Sequence, residues 1–303
     1  MFKEMDRRKF LKSSAVIPVI AAAGLSIKGD KSYSQTKIRR VGEPSLKVSC
    51  CAYSYRQYLS KGKWTLDNFL ETAAELGFDG VELTSYYFPN YPNRPDDEYL
   101  CHIKQKAFLL GLDVSGTAAR NNFCNPDENQ RKKDVEDVKM WMECGAMFGA
   151  PEIRIFGGNG IPKGHTEEEV TEWVAECLKE CADHGAKYGV MAALENHGGF
   201  PEKAEQVLRV LKMVDSDWAG ANLDTGNFMS DDPYKDIEEV APYAITCHVK
   251  VSLKKGEKAD MGRIADILKK AGYRGYLPIE YEEREDPITG VPKFLSEIRE
   301  AIG

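Results

Sequence analysis

The sequence contains no apolar run of membrane-spanning length. Its best candidate, residues 15–27, is interrupted by Pro18 and Gly24 and falls short of the about 20 apolar residues that a bilayer-crossing helix needs. Positive charge is in deficit: 41 Lys and Arg stand against 48 Asp and Glu, a formal net charge of -7. A nucleic-acid partner, which draws on a basic surface, is therefore not expected. No Gly-x-Gly-x-x-Gly turn follows the first strand-like segment, which weighs against a dinucleotide-binding doubly wound sheet. Histidine is scarce, with five residues at 102, 165, 184, 197 and 248. Cysteine is not scarce, yet a chain this long builds its own core and needs no disulfide frame. Cys177 and Cys181, one helical turn apart, read as half-buried helix thiols rather than a bridge or a metal pair.

The amino-terminal segment opens with Arg7 and Arg8 in an RRKFLK run, followed by the short apolar stretch and a polar tail. That layout predicts a signal of the twin-arginine type, with residues 1–34 forming signal and polar linker and the folded domain spanning 35–303. Cleavage is expected after Ala23 or Ser34. Without a cysteine near the end of the segment, no stable membrane anchor is expected, and the mature protein is expected to be periplasmic or exported. A retained anchor or a basic amphipathic amino terminus is the competing reading.

From Lys47 onward, short β-branched runs alternate with longer amphipathic stretches, the pattern of parallel strands joined by crossover helices. Eight strand segments are predicted, at 47–53, 80–83, 113–116, 152–156, 191–194, 219–223, 245–249 and 276–279. Thr65 and Thr166 read as helix caps, 134–148 as a helix with a core-facing stripe, and Gly185 and Gly189 as punctuation at one helix end. Strand-plus-helix units recur without a linker, so the expected architecture is α/β: a single (β/α)8 TIM barrel, with an open doubly wound sheet as runner-up.

Such barrels place chemistry at the carboxyl ends of their strands. The last four predicted strands end in LENHGG, NLDTGN, CHVK and PIEYE, which brings Glu195, Asp224, His248 and Glu280 to one mouth. Three carboxylates that close repel one another unless a cation or protons neutralise them. Oxygen-rich coordination with one imidazole suits one divalent metal ion, Mn first among Mn, Mg, Co, Fe and Zn, better than a structural zinc site rich in Cys and His.

These motifs, in this order, resemble those of the xylose-isomerase-like barrels, in particular the sugar phosphate isomerase/epimerase group, over essentially the whole chain after the signal-like segment. The resemblance implies a metal held by Glu195, Asp224, His248 and Glu280, with Glu195 and Glu280 also moving protons. It further implies substrate contacts at Glu82, within GFDGVEL, and at His197 and Lys250. Many relatives carry an acidic residue where Val251 follows Lys250 here, which puts a loop carboxylate on that side in doubt.

The implied chemistry is proton abstraction beside a carbonyl through a metal-stabilised enediolate, giving isomerisation or epimerisation of a sugar or keto-sugar. Elimination of the aglycone from a 3-keto-glycoside is a lyase-like alternative on the same site. A non-catalytic sugar-binding barrel is another, and an endonuclease IV-like hydrolase is disfavoured because its trinuclear zinc site needs more histidines. The aromatic loop at Tyr86, Tyr87, Phe88 and Tyr91 reads either as a flat face for a sugar ring or as a pinned loop. The expected partner is a small-molecule sugar, and a homo-oligomer is compatible with the sequence.

Overall fold

The computed structural model describes residues 37–303. The twin-arginine reading of residues 1–34 lies outside the described residues. Eight strands alternate with eight main helices. They are β1 (Ser45–Cys51), α1 (Leu66–Glu75), β2 (Gly80–Thr84), α2 (Asp97–Leu109), β3 (Asp113–Ala118), α3 (Glu128–Phe148), β4 (Glu152–Phe156) and α4 (Glu167–Tyr188). The second half continues with β5 (Met191–Glu195), α5 (Ala204–Val214), β6 (Ala219–Asp224), α6 (Pro233–Val240), β7 (Ala244–His248), α7 (Met261–Lys270), β8 (Arg274–Ile279) and α8 (Pro287–Ile302).

Each strand pairs in parallel with its sequence neighbour from β1 to β7, and β1 also pairs with β8. The ring closes just past the end of β7, where Val249 bridges Ile279. There Val249 N donates to Pro278 O at 2.9 Å and Glu280 N donates to Val249 O at 3.0 Å. The structure is thus the (β/α)8 barrel that the sequence pattern predicts, and every predicted strand is present.

Local chemistry explains the helix boundaries. Thr65 and Thr166 each close a capping box, Thr65 with Asn68 and Thr166 with Glu169, satisfying amides that the first helical turn leaves open. Helix α3 starts at Glu128, capped by Asp127, and so runs six residues earlier than the sequence pattern indicates. Its first turns, ENQRKKD, are mostly exposed and carry no apolar stripe to betray them. Helix α4 stops at Gly189, which takes a left-handed φ of 73°. Gly185 does not punctuate that end. It lies inside the helix, where a Cβ would come within 2.1 Å of the Val190 carbonyl oxygen.

Strand alternation sorts the side chains. Ile153 and Ile155 of β4, Ala192 and Leu194 of β5, and Ala221 and Leu223 of β6 join the apolar layer beneath the helices. The residues between them, Glu152, Arg154, Glu195, Asn222 and Asp224, turn into the barrel and are buried there. Register shifts between Val81 and Glu82 and between Ala221 and Asn222 are bulges of the kind that re-aim side chains near a site. All eight cysteines are free, and all but Cys101 are buried, as thiols packed in a core rather than a disulfide frame require.

Candidate metal centre and cavity

Glu195, Asp224 and His248 are the last residues of β5, β6 and β7, and Glu280 directly follows β8. Each offers one ligand atom, and the four atoms lie within 4.8 Å of one another. The sequence places these residues on four consecutive strands; the barrel brings their side chains to one point.

Each ligand candidate is held by neighbours. His248 Nε2 sits 2.6 Å from Glu82 Oε2, which leaves Nδ1 turned toward Asn222 Nδ2 at 3.3 Å and Glu280 Oε2 at 4.0 Å. Burial alone would lower the imidazole, but Glu82, with Glu280 and Glu195, raises it to about 10. A carboxylate behind a ligating histidine is the usual way its ring is oriented. Asp224 is clamped through its backbone: its N donates to Asn196 Oδ1 at 2.8 Å, and its O accepts from Asn196 Nδ2 at 2.8 Å. One of its carboxylate oxygens, Oδ1, accepts from Gly226 N at 2.8 Å. The other, Oδ2, is fully buried without a hydrogen bond, although Lys250 Nζ stands 3.2 Å away at an unfavourable angle. Burial, together with Glu195 and Glu280 and against the pull of Lys250, pushes Asp224 up to about 7.

The two glutamates differ. Glu195 Oε2 faces the Arg154 guanidinium at 3.0 Å, and its Oε1 takes Asn227 Nδ2 at 3.2 Å and lies 3.4 Å from His197 Nδ1. Burial would raise this carboxyl, but Arg154 and His197 overcome it and hold Glu195 well below the usual carboxylate range. Glu280 has only Oε2 engaged, with Lys250 Nζ at 3.0 Å and the more distant His248. Burial opposes ionisation here too, and Lys250 and His248 outweigh it, so Glu280 is also lowered.

Lys250, one of the expected substrate contacts, reaches into the cluster with its ammonium near Asp224, Glu280 and Glu282, the last at 2.8 Å. Its stem passes so close to Gly226 that a Cβ there would meet Lys250 Cδ at 2.8 Å and the Ser252 carbonyl oxygen at 2.8 Å. Where Val251 lacks a carboxylate, Glu282 and Glu283 from the loop after β8 supply one: Glu282 to Lys250 and Glu283 to Ser252 Oγ at 2.8 Å.

Above the cluster opens a cavity of about 600 Å³, lined near the cluster by Tyr53, Tyr86, Arg154, Phe156, Glu195 and Glu280. His197 also borders it, its ring 4.3 Å from that of Phe156. Glu82 does not face this space as the resemblance implies. It lies two residues before the end of β2, one side-chain layer deeper, with no exposure, and its Oε1 accepts from Cys51 Sγ at 3.3 Å. The aromatic loop divides: Tyr86 and Tyr91 line the cavity, while Phe88 is buried against Trp141 and Phe148. The glycine stretch at 157–160 is a tight loop bridged to Phe200, where a Cβ on Gly157 would meet the Phe200 carbonyl oxygen at 2.3 Å.

Several site residues escape sequence reasoning. Arg154 is the most consequential: Nη1 donates to Ala119 O at 2.9 Å, Nη2 to Tyr86 Oη at 2.9 Å, and the guanidinium lies 3.8 Å over the Phe156 ring. A charge in mid-strand is too costly to bury without a charged partner, and that partner is Glu195. Asn227 was visible in NLDTGN but without a role. It links Glu195 to Lys250, whose Nζ donates to its Oδ1 at 3.2 Å.

The donor set suits a divalent cation. Three carboxylates and a histidine held by a second-layer carboxylate converge, with one buried carboxylate oxygen that no protein donor satisfies.

Comparison with known proteins agrees with this architecture. Residues 70–299 match the family model for xylose isomerase-like TIM barrels. Over 242 residues the chain is 25% identical to the 2-oxo-tetronate isomerase of Haemophilus influenzae, covering 76% of this chain and 92% of that protein. Among solved structures, D-psicose 3-epimerase from Clostridium cellulolyticum H10, determined with D-tagatose, superposes with a TM-score of 0.69 at 18% identity, covering 84% of this chain and 99% of that one. The IolI protein, determined with a bound zinc atom, gives a TM-score of 0.68 at 17% identity, covering 84% and 96%. With the closed eight-stranded barrel and a family model that spans most of its length, the chain belongs to the xylose isomerase-like TIM barrel family.

Proposed function

We propose that the protein is a divalent-metal-dependent sugar isomerase or epimerase. The observation that carries the reading is the convergence of Glu195, Asp224, His248 and Glu280 at the floor of an open cavity. The similarity to a 2-oxo-tetronate isomerase and to sugar epimerases supports the same reaction class.

Glu195, Asp224, His248 and Glu280 would hold the ion, which when bound supplies Lewis-acid polarisation of a carbonyl oxygen. The protein's own groups do the rest. Glu280, whose Oε1 is uncommitted, takes the proton from the carbon beside the carbonyl; returning it to the neighbouring carbon gives isomerisation, whereas for epimerisation solvent supplies a proton to the other face and Glu280 releases its own to solvent. Arg154 and Asn227 fix Glu195, and Lys250, shared between Glu280 and Glu282, stands by to donate to a substrate oxygen. Tyr86 and Phe156 line the cavity above the cluster and exclude water from one side of the bound sugar.

The test is incubation of the manganese-loaded protein with a panel of ketoses in deuterated water. Incorporation of deuterium at the carbon beside the carbonyl, followed by NMR, is the expected result. A metal-loaded protein that exchanges no substrate proton would reject the proposal.

We also propose export by the twin-arginine route. Changing Arg7 and Arg8 together to lysine is expected to leave the full-length precursor in the cytoplasm on cell fractionation, while the parent chain reaches the periplasm. Equal distribution of the two would show that the arginine pair is not read as a signal.

A further inference from the structure

The cavity of about 600 Å³ extends well past the cluster, and its far side has a different character from its floor. Away from the cluster the wall is built from the ends of β3 and β4 and from α3, and it includes Arg120, Asn122, Asp134 and Asn159. Their bonding leaves hydrogen-bonding capacity over. Arg120 is exposed, rests 5.3 Å over the Tyr86 ring, and makes no hydrogen bond or ion pair with the described residues. Asn122 spends Oδ1 on Asn159 N at 3.0 Å and leaves its amide nitrogen unused, and the Asn159 side chain is likewise uncommitted. Asp134 accepts from Asn122 N at 2.7 Å and from Gln130 Nε2 at 3.1 Å, with carboxylate lone pairs to spare.

This wall is held in shape. A Cβ on Gly158 would come within 2.2 Å of Asn122 Oδ1, so the glycine lets the loop after β4 close onto the loop after β3. The aromatic rings of Tyr86 and Tyr91, 5.6 Å apart and edge to face, stand beside these polar groups. Apolar faces next to a mixed set of donors and one carboxylate acceptor match a sugar ring, with its apolar CH faces and its hydroxyl rim. A carboxylate or phosphate would find Arg120 but would also be repelled by Asp134.

We infer that the far wall is a subsite for a second sugar unit, and that the preferred substrate is a ketose disaccharide. The reacting unit sits over the cluster, and the second unit lies beside Tyr91 within reach of Arg120, Asn122 and Asn159. The inference rests on the isomerase/epimerase reading for its reacting end but not for its binding end.

The experiment uses the full chain loaded with manganese. D-fructose and D-psicose serve as one-unit probes, and lactulose, maltulose and isomaltulose as two-unit probes. Deuterium exchange gives kcat/KM, and calorimetry gives binding independently of turnover. At least one disaccharide is expected to exceed both monosaccharides in kcat/KM by about tenfold, the worth of one or two well-made hydrogen bonds. In Arg120→Met and Asn159→Ala that ratio is expected to fall by about tenfold, through KM rather than kcat, with the same loss in calorimetric affinity. Monosaccharides handled as well as every disaccharide would overturn the inference, as would variants that lower both classes alike. If no probe exchanges a proton, the reaction reading fails. The subsite then stands or falls on whether calorimetry finds disaccharide binding that weakens in Arg120→Met.

Discussion

Replacing Glu280 by glutamine is expected to slow substrate proton exchange by about 10²–10⁴-fold in the metal-saturated protein, the range of a lost general base. Glutamine keeps the shape of the side chain and an oxygen that can coordinate, but it cannot accept the proton. Glu280 is singled out over Glu195 by its partners. Arg154 occupies Oε2 of Glu195 at 3.0 Å and Asn227 occupies Oε1 at 3.2 Å, so that carboxylate is a poor proton acceptor, and under the proposed reading its part is to hold the ion. Glu280 borders the cavity with only Oε2 taken. In Glu195→Gln, the glutamine must break its ion pair with Arg154, and metal affinity is expected to fall along with the rate. Proton exchange by NMR and metal affinity by competitive titration separate the two outcomes. Exchange that survives in Glu280→Gln and vanishes in Glu195→Gln with metal still bound would reverse the assignment.

The second large effect concerns stability. Glu152 points into the barrel from the start of β4, is 2% exposed, and has neither carboxylate oxygen hydrogen-bonded to the protein. Burial, reinforced by the nearby Glu82 and only partly offset by His248 and Arg154, raises it well above the ordinary value of 4.5. The folded state therefore holds this proton more tightly than the unfolded chain does. The stability this contributes is present below the unfolded value, and it is lost progressively as pH rises above that value toward the folded one. Glu152→Met, which fills similar space without acceptors, is expected to stabilise the protein at pH 8 by about 1–3 kcal/mol, and by much less at pH 4. For a chain of this size, each kcal/mol moves Tm by about 2–4 °C, so thermal melts at the two pH values suffice. An equal gain at both, or a loss at pH 8, would mean that the carboxylate has a partner in solution. The same packing predicts why Gly116 has no side chain: a Cβ there would lie 1.6 Å from Glu152 Oε1.

The candidate ligand cluster is legible because its members end successive strands, so period-two alternation and strand order alone bring them together. What the sequence hid are contacts between loops. Glu282 answers for the missing carboxylate at Val251 from a different strand's loop, and no local pattern announces that pairing. Glu82 shows what a strand pattern leaves open in depth: two residues of rise decide whether a side chain meets substrate or buttresses a histidine. Arg154 shows that a charge within a strand needs its partner located before a role can be given, and that partner, Glu195, lies on the neighbouring strand. Helix α3 starts earlier than the apolar stripe suggests because an exposed first turn needs only a cap, here Asp127.

The barrel's thinnest join lies between β7 and β8, where among the described residues the only ladder pair is Val249 with Ile279. His248 ends one of these strands and Glu280 follows the other. An ion gripped by both would act as a rivet across the seam, and the amides of Val249 and Glu280 would then exchange with solvent more slowly as the metal concentration rises. In this barrel the group that prepares the chemistry would also keep the staves from parting.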